Sequence, residues 1–337
     1  MATIFVERLV NLDFTYFDVK RGLVGETLLV DCTLSGAKNP EGMVLDFGHF
    51  KRLVSQTLEQ SIDHKLVIPQ QATDAHGHCV HTTPCPLYAG NTCLRLGNTA
   101  DAIQLSLPDT GFCLVNTTTI TPAHLEAHLM RVITTSDWWR PNWQAQIRLF
   151  PEPMKPNTPY FQYTHGLPKH TGACQRIAHG HRSRLSVTVD GREHAALTAF
   201  WCKRWQDIYL GSHLDRTSKT SASAYQFAYQ SPEGHYSLRI PIQRTDLLQH
   251  ETTIENIAQH IADQSVTLLA QQRFPLHPDA IPLSHMKTPH TATPIVVEAR
   301  VYEGIQKGAI ATAILTAYTG TDQSKTDDSE NSAHTGQ

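Results

Sequence analysis

His179 and His181 flank a single glycine, Cys174 lies five positions upstream, and His165 closes the segment Tyr163-Thr164-His165. Alternate side chains of a β-strand share a face, so His179 and His181 can hold one ion, and Gly180 between them lets another segment come close. An antiparallel neighbour ending in His165 would bring a third imidazole beside them. Three neutral imidazoles around a tetrahedral zinc leave one position open, which is the arrangement of a catalytic rather than a structural site. An ion held this way can polarise a hydroxyl or carbonyl and ease proton removal from the neighbouring carbon. A cation nearby favours the thiolate of Cys174, which then serves as a general base. The first half of the chain holds a complementary fragment, Asp63-His64. Neither fragment is complete alone; together they describe a metal-dependent active site split across a duplicated chain.

The elements that must position these residues show the duplication. Leu28 to Gly36 and Arg184 to Gly191 are strands of alternating type ending in a small-residue turn, offset by 155 residues. The same offset sets Val24-Gly25-Glu26 opposite His179-Gly180-His181. One strand start therefore carries a metal-ligand pattern and its counterpart does not. Thr118-Thr119-Ile120 and Thr252-Thr253-Ile254 each open an amphipathic helix, Ala123 to Val132 and Glu255 to Leu268, with threonine suited to the N-cap. A further helix is expected from about Gly48 to Ile62, with Asp63-His64 at its end. Strands are expected at 4–14, 27–36, 101–116, 143–150, 159–165, 183–190, 235–242, 295–302 and 308–317. The spacings require an insertion in the first half at about 70–97.

The chain has 337 residues and a formal net charge of −3, with no run of like charges. That balance gives no electrostatic footprint for nucleic acid or a membrane surface, so a small-molecule partner is expected. No segment reaches the roughly 20 apolar residues needed to span a bilayer, and Met1 to Val10 does not read as a signal sequence. Seven cysteines, an odd number, read as reduced thiols and place the protein in the cytoplasm.

The histidine after an aromatic strand, Cys174 with His179-Gly180-His181, the turn Gly42-Met43-Val44-Leu45-Asp46-Phe47, and Asp63-His64 together resemble 6-pyruvoyl-tetrahydropterin synthase and its bacterial relative 6-carboxy-tetrahydropterin synthase. The resemblance covers roughly residues 4–317 and implies an α+β chain of two tandem T-fold (tunnelling fold) repeats, antiparallel sheets with helices on one face. The boundaries would be 1–150, 151–317 and a disordered tail at 318–337. In that family a neighbouring subunit supplies the Asp-His pair to the zinc histidines and cysteine. Here the halves would divide the work: the first keeps Asp63 and His64, and the second keeps His165, Cys174, His179 and His181 with only Ser212-His213-Leu214-Asp215 where such a pair is sought. The implied cofactor is Zn2+. The implied reaction is conversion of 7,8-dihydroneopterin triphosphate to 6-carboxy-5,6,7,8-tetrahydropterin on the route to queuosine, or to the 6-pyruvoyl product. Alternatives are a GTP cyclohydrolase-like hydrolase and a non-catalytic metal-bearing pterin-binding protein. Glu303 matches the family's pterin-anchoring glutamate, with Glu152 as the first half's counterpart, and Thr252 and Thr253 would line the pocket. A homo-oligomer of three chains would supply the family's six units, with a dimer as the alternative.

His76-Gly77-His78-Cys79, with His81 and Cys85, imitates a metal motif and is read as a decoy in a flexible loop. Trp138, Trp139 and Trp143 are read as packing or an oligomer contact.

Overall fold

Two largely buried strands, β2 (Asn11–Asp18) and β3 (Gly22–Gly36), start the first sheet of the computed structural model, which describes residues 1–218, 221–276 and 294–315. Around them lie β1 (Ala2–Val6), α1 (Phe47–Ser61), β4 (Leu66–Pro69), β5 (Thr73–Asp74), β6 (Gly77–His78), β7 (Val80–Pro84), β8 (Asn91–Leu96), β9 (Ile103–Pro108), β10 (Phe112–Val115), α2 (Pro122–Thr134) and β11 (Gln144–Pro151). The second half adds β12 (Tyr160–His165), β13 (His179–Val189), β14 (Arg192–Glu193), α3 (Ala195–Arg204), β15 (Ile208–Ser212), β16 (Ala224–Ser231), β17 (Gly234–Pro241), β18 (Thr245–Leu248), α4 (Ile254–Ala270), β19 (Ile295–Tyr302) and β20 (Gly308–Leu315).

Both main sheets follow one plan. The first runs β10-β4-β2-β3-β11, with β1 also on β3, and the second runs β18-β15-β12-β13-β19-β20. In each, the central pair and its outer neighbour are antiparallel, while two strands on the other side join in parallel. The hairpin β16-β17 pairs with β9, so the halves share a third sheet, β16-β17-β9-β8-β7.

Helices cover one face of each main sheet. Leu125, Leu129 and Ile133 of α2 and Phe50, Val54 and Leu58 of α1 repeat at helical spacing and are buried on Leu12, Phe14, Leu28 and Val30. Burying each such side chain contributes about 2 kcal/mol. On the second sheet, Trp201 and Leu197 of α3 and Ile257, Ile261 and Leu269 of α4 do the same against Phe161, Tyr163 and Val187. Asp46, Thr121 and Thr253 cap α1, α2 and α4 by accepting main-chain N–H bonds.

The uncovered faces meet where β3 crosses β13. A Cβ on Gly25 would lie 1.9 Å from the Tyr163 carbonyl oxygen and 2.6 Å from His181 N, and one on Gly180 would lie 2.7 Å from Gly25 Cα. Thr15 and Thr164 hydroxyls meet beside the crossing at 3.0 Å. Glycine is therefore required by closeness, not by backbone angle.

Several expectations needed adjustment. The strand expected over 101–116 is two, β9 and β10, broken by the 3-10 turn Asp109–Gly111. Helix α3 was not anticipated, because Leu197, Thr198, Trp201 and Cys202 make a buried but weakly amphipathic face. Residues 70–97 are not a flexible loop: they form β5 to β8, with Cys79 and Val80 in the core shared with Leu94 and Tyr236. His78 and His81 stay exposed on their strands, and among the described residues this segment gathers no metal-binding group. Trp139 packs edge to face with both Trp138 and Trp143, and Trp138 donates to Thr57 Oγ1 at 3.1 Å. All seven cysteines are free thiols. No helix among the described residues is long and apolar enough to cross a membrane. The tail at 318–337 lies outside the described residues.

Candidate metal centre

The ladder of β12 on β13 sets His165 directly opposite His179 and Tyr163 opposite His181. One donor atom from each of His165, His179 and His181 falls within 4.8 Å of the others, and all three side chains are buried. His165 Nδ1 donates to the Thr252 carbonyl at 3.0 Å, and His179 Nδ1 donates to the Arg176 carbonyl at 3.0 Å. A carbonyl can only accept, so both rings carry their proton on Nδ1 and turn a lone pair outward on Nε2. The Nε2 atoms of all three histidines are buried with no partner. Burial holds His165 down to about 3 and His179 well below the usual imidazole range, which keeps both neutral. Three converging imidazoles, each with an Nε2 that has no other partner, fit a divalent cation.

His64 arrives from the other half. It follows α1 with a φ of +53°, its ring centroid is 5.4 Å from that of His179, and its Nδ1 is 2.6 Å from Asp63 Oδ2. Burial opposes its charge, but the bond to Asp63 and the nearby Cys174 raise its pKa to about 10. It is an imidazolium at neutral pH. Cys174, half-buried on the 3-10 turn Ala173–Gln175, lies in the connection from β12 to β13. Arg176 binds this connection to the first half through the Asp63 carbonyl at 3.3 Å, and pairs with Glu233 at 2.9 Å.

Glu303 follows β19, with Lys307 Nζ 3.2 Å from its carboxylate. Burial works against its charge, yet its positively charged surroundings, Lys307 among them, outweigh it and hold the carboxyl below its usual range. Glu152 points elsewhere, into a two-bond pairing with Arg184 at 2.9 and 3.0 Å. Thr252 spends its hydroxyl on His165 and the Gly166 carbonyl, and Thr253 caps α4, so both support the site's frame. Sequence reading missed Asp13, Lys307 and Arg176. Only the spacing of Lys307 from Glu303 gave any local signal.

The matching positions of the first half hold a different structure. Thr15 pairs with Gly25 as Thr164 pairs with Gly180, so Tyr16, Val24 and Glu26 stand where the other half has His165, His179 and His181. Asp207, with φ +60° and its N–H on the Gln162 carbonyl, repeats His64, whose N–H bonds the Asp13 carbonyl. The counterpart of Asp63-His64 is thus Gln206-Asp207, and Ser212-His213-Leu214-Asp215 lies further along, at the end of β15. Here the Arg21 guanidinium bonds Asp207 at 2.6 and 2.7 Å, Gln162 at 2.6 Å and the Tyr16 hydroxyl at 3.0 Å.

Glu26 is pushed up to about 7, first by burial, although Arg182 lies 3.9 Å away. A carboxyl whose folded pKa exceeds its unfolded value adds stability at low pH, and that contribution is lost as the pH rises through about 7. Glu26→Gln is expected to match the parent at pH 5 and to exceed it at pH 8.5 by on the order of 2 kcal/mol in urea unfolding. Equal differences at the two pH values would contradict this.

The sheet-and-helix plan of the second half, with imidazoles at the start of its central strand, is that of a T-fold unit, and the first half repeats the same strand order. Residues 157–278 match the family model for 6-pyruvoyl tetrahydropterin synthase. The match contains His165, Cys174, His179 and His181. Among solved structures, the Plasmodium vivax 6-pyruvoyltetrahydropterin synthase E37A mutant is similar at 19% identity and TM-score 0.31, over 40% of this chain and 77% of that one. Another P. vivax structure of the enzyme is similar at 15% identity and TM-score 0.31, over 44% of this chain and 98% of that one. The Plasmodium falciparum enzyme is similar at 15% identity and TM-score 0.30, over 40% and 77%. No curated protein matches the chain.

Proposed function

We propose that the protein is a zinc-dependent tetrahydropterin-forming lyase acting on 7,8-dihydroneopterin triphosphate, with 6-carboxy-5,6,7,8-tetrahydropterin as the favoured product. The observation that carries this reading is the set of three orphaned Nε2 atoms, inside the family-matched segment and beside an imidazolium from the other half. The reading takes residues 1–150 and 151–317 as the two repeats and gives each chain one working site.

His165, His179 and His181 would hold the zinc, which when bound acts as a Lewis acid toward the substrate's side-chain oxygens. Cys174 removes a proton from the side-chain carbon. His64, charged and fixed by Asp63, stabilises the negative sulfur and returns or relays the proton. Glu303 accepts two parallel N–H bonds from the aminopyrimidine edge once Lys307 moves aside. The edge of β20, unpaired among the described residues, and the exposed Ile310, Ile314 and Val296 support an assembly of chains, three in this reading. Cytoplasmic residence is part of the same reading.

Zinc-loaded protein incubated with 7,8-dihydroneopterin triphosphate is expected to release acetaldehyde and triphosphate and to give the mass of 6-carboxy-tetrahydropterin. Tight pterin binding without turnover would defeat the enzymatic reading. Cys174→Ala is expected to lower kcat about 10²–10⁴-fold while pterin affinity is retained. Full turnover by that variant would remove the assigned base.

A further inference from the structure

We infer that Asp13 is the positioning residue that joins the two halves of this site, aligning His181 as a metal ligand through its carboxylate while its main chain holds the Asp63–His64 pair. Asp13 lies on β2, in the half that contributes no metal ligand, and is only 6% exposed. Its N–H donates to Asp63 Oδ1 at 2.8 Å, and its carbonyl accepts the His64 N–H at 2.6 Å. Its Oδ1 lies 3.1 Å from His181 Nδ1.

The three histidines show why that last contact matters. The Nδ1 atoms of His165 and His179 each have a carbonyl acceptor, whereas His181 Nδ1 has Asp13 close by but off the line of a hydrogen bond. A carboxylate accepting from a ligand imidazole fixes its tautomer and orientation and makes the opposite nitrogen a stronger donor. The surroundings aim this carboxylate. The Thr27 hydroxyl donates to Oδ1 at 2.5 Å and in turn accepts the Arg182 N–H at 3.2 Å, one residue beyond His181. Gly304, with φ +68°, leaves the room: a Cβ there would lie 2.7 Å from Oδ1. Asp13 therefore touches the metal strand, the Asp-His pair and the turn that follows Glu303. A purely structural aspartate would need only the bond to Thr27.

The inference rests on a metal at the histidine triad, and binding rather than turnover tests it. The full chain is titrated with Zn2+ against a chromogenic chelator, and its Co2+ form is read by visible absorption. Asp13→Asn keeps the main-chain contacts and is expected to weaken Zn2+ binding about 10–100-fold and to shift the Co2+ bands. Thr27→Val leaves the carboxylate but removes the hydroxyl that aims it, and is expected to weaken binding by a smaller factor. Parent-like affinity and spectrum in Asp13→Asn would overturn the inference. If that variant does not fold, parent-like behaviour of Thr27→Val does so. A parent chain that binds neither ion would instead overturn the metal reading itself.

Discussion

Gly25→Ala is expected to unfold the site without replacing any of its three histidines. The added methyl would sit 1.9 Å from the Tyr163 carbonyl oxygen and 2.6 Å from His181 N, both main-chain atoms that no rotamer change can move. The two sheets would have to separate at their closest crossing, which also breaks the Thr15–Thr164 contact and the bond from Gln162 Nε2 to the Gly25 carbonyl. Overpacking against fixed backbone belongs to the severe end of single substitutions, about 4 kcal/mol here. In a chain of this size that lowers the melting temperature by roughly 6 °C. Zn2+ binding should weaken with it, because the same movement displaces His181 and the strand carrying Asp13. An unchanged melting temperature would mean that the sheets do not cross at these glycines.

Removing one imidazole is expected to have the next largest effect. His179→Ala leaves two ligands from the triad and takes away the ring nearest His64. Zinc sites divide their binding free energy among a few ligands, so loss of one should weaken Zn2+ binding roughly 10²–10³-fold. Stability gives a readout independent of activity. An ion that binds only the folded protein raises its melting temperature in proportion to the logarithm of its concentration over Kd. Added Zn2+ should therefore raise the melting temperature of the parent and hardly change that of His179→Ala, and a chelator should erase the difference. Equal responses of the two proteins would place the metal elsewhere.

The triad was legible because its geometry is local. His179-Gly180-His181 share a face by strand alternation, and a hairpin is enough to bring His165 beside them. Asp63-His64 was legible as a fragment, since its partners are adjacent in the chain and it ends a clear amphipathic helix. The cap at Thr253 and the doubled order of strands and helices also follow from patterns within a few residues or from the repeat, whereas the cap of α2 is Thr121 and not Thr118 or Thr119. Helix α3 was hidden because its buried face includes Thr198 and Cys202 and its apolar residues do not form a clean stripe.

Residue order alone thus determined which half carries the three histidines, which carries the Asp-His pair, and that the two belong to one repeated plan. Only the tertiary structure decided that both meet in the same chain, through strands of different halves crossing at Gly25 and Gly180. It also decided that Asp13 faces His181, that Arg21 fills the matching position with a guanidinium, and that Lys307 covers Glu303. The physical reason is range: strand and helix periodicity act over a few residues, whereas these contacts arise from the packing of one sheet on another, which no local pattern encodes.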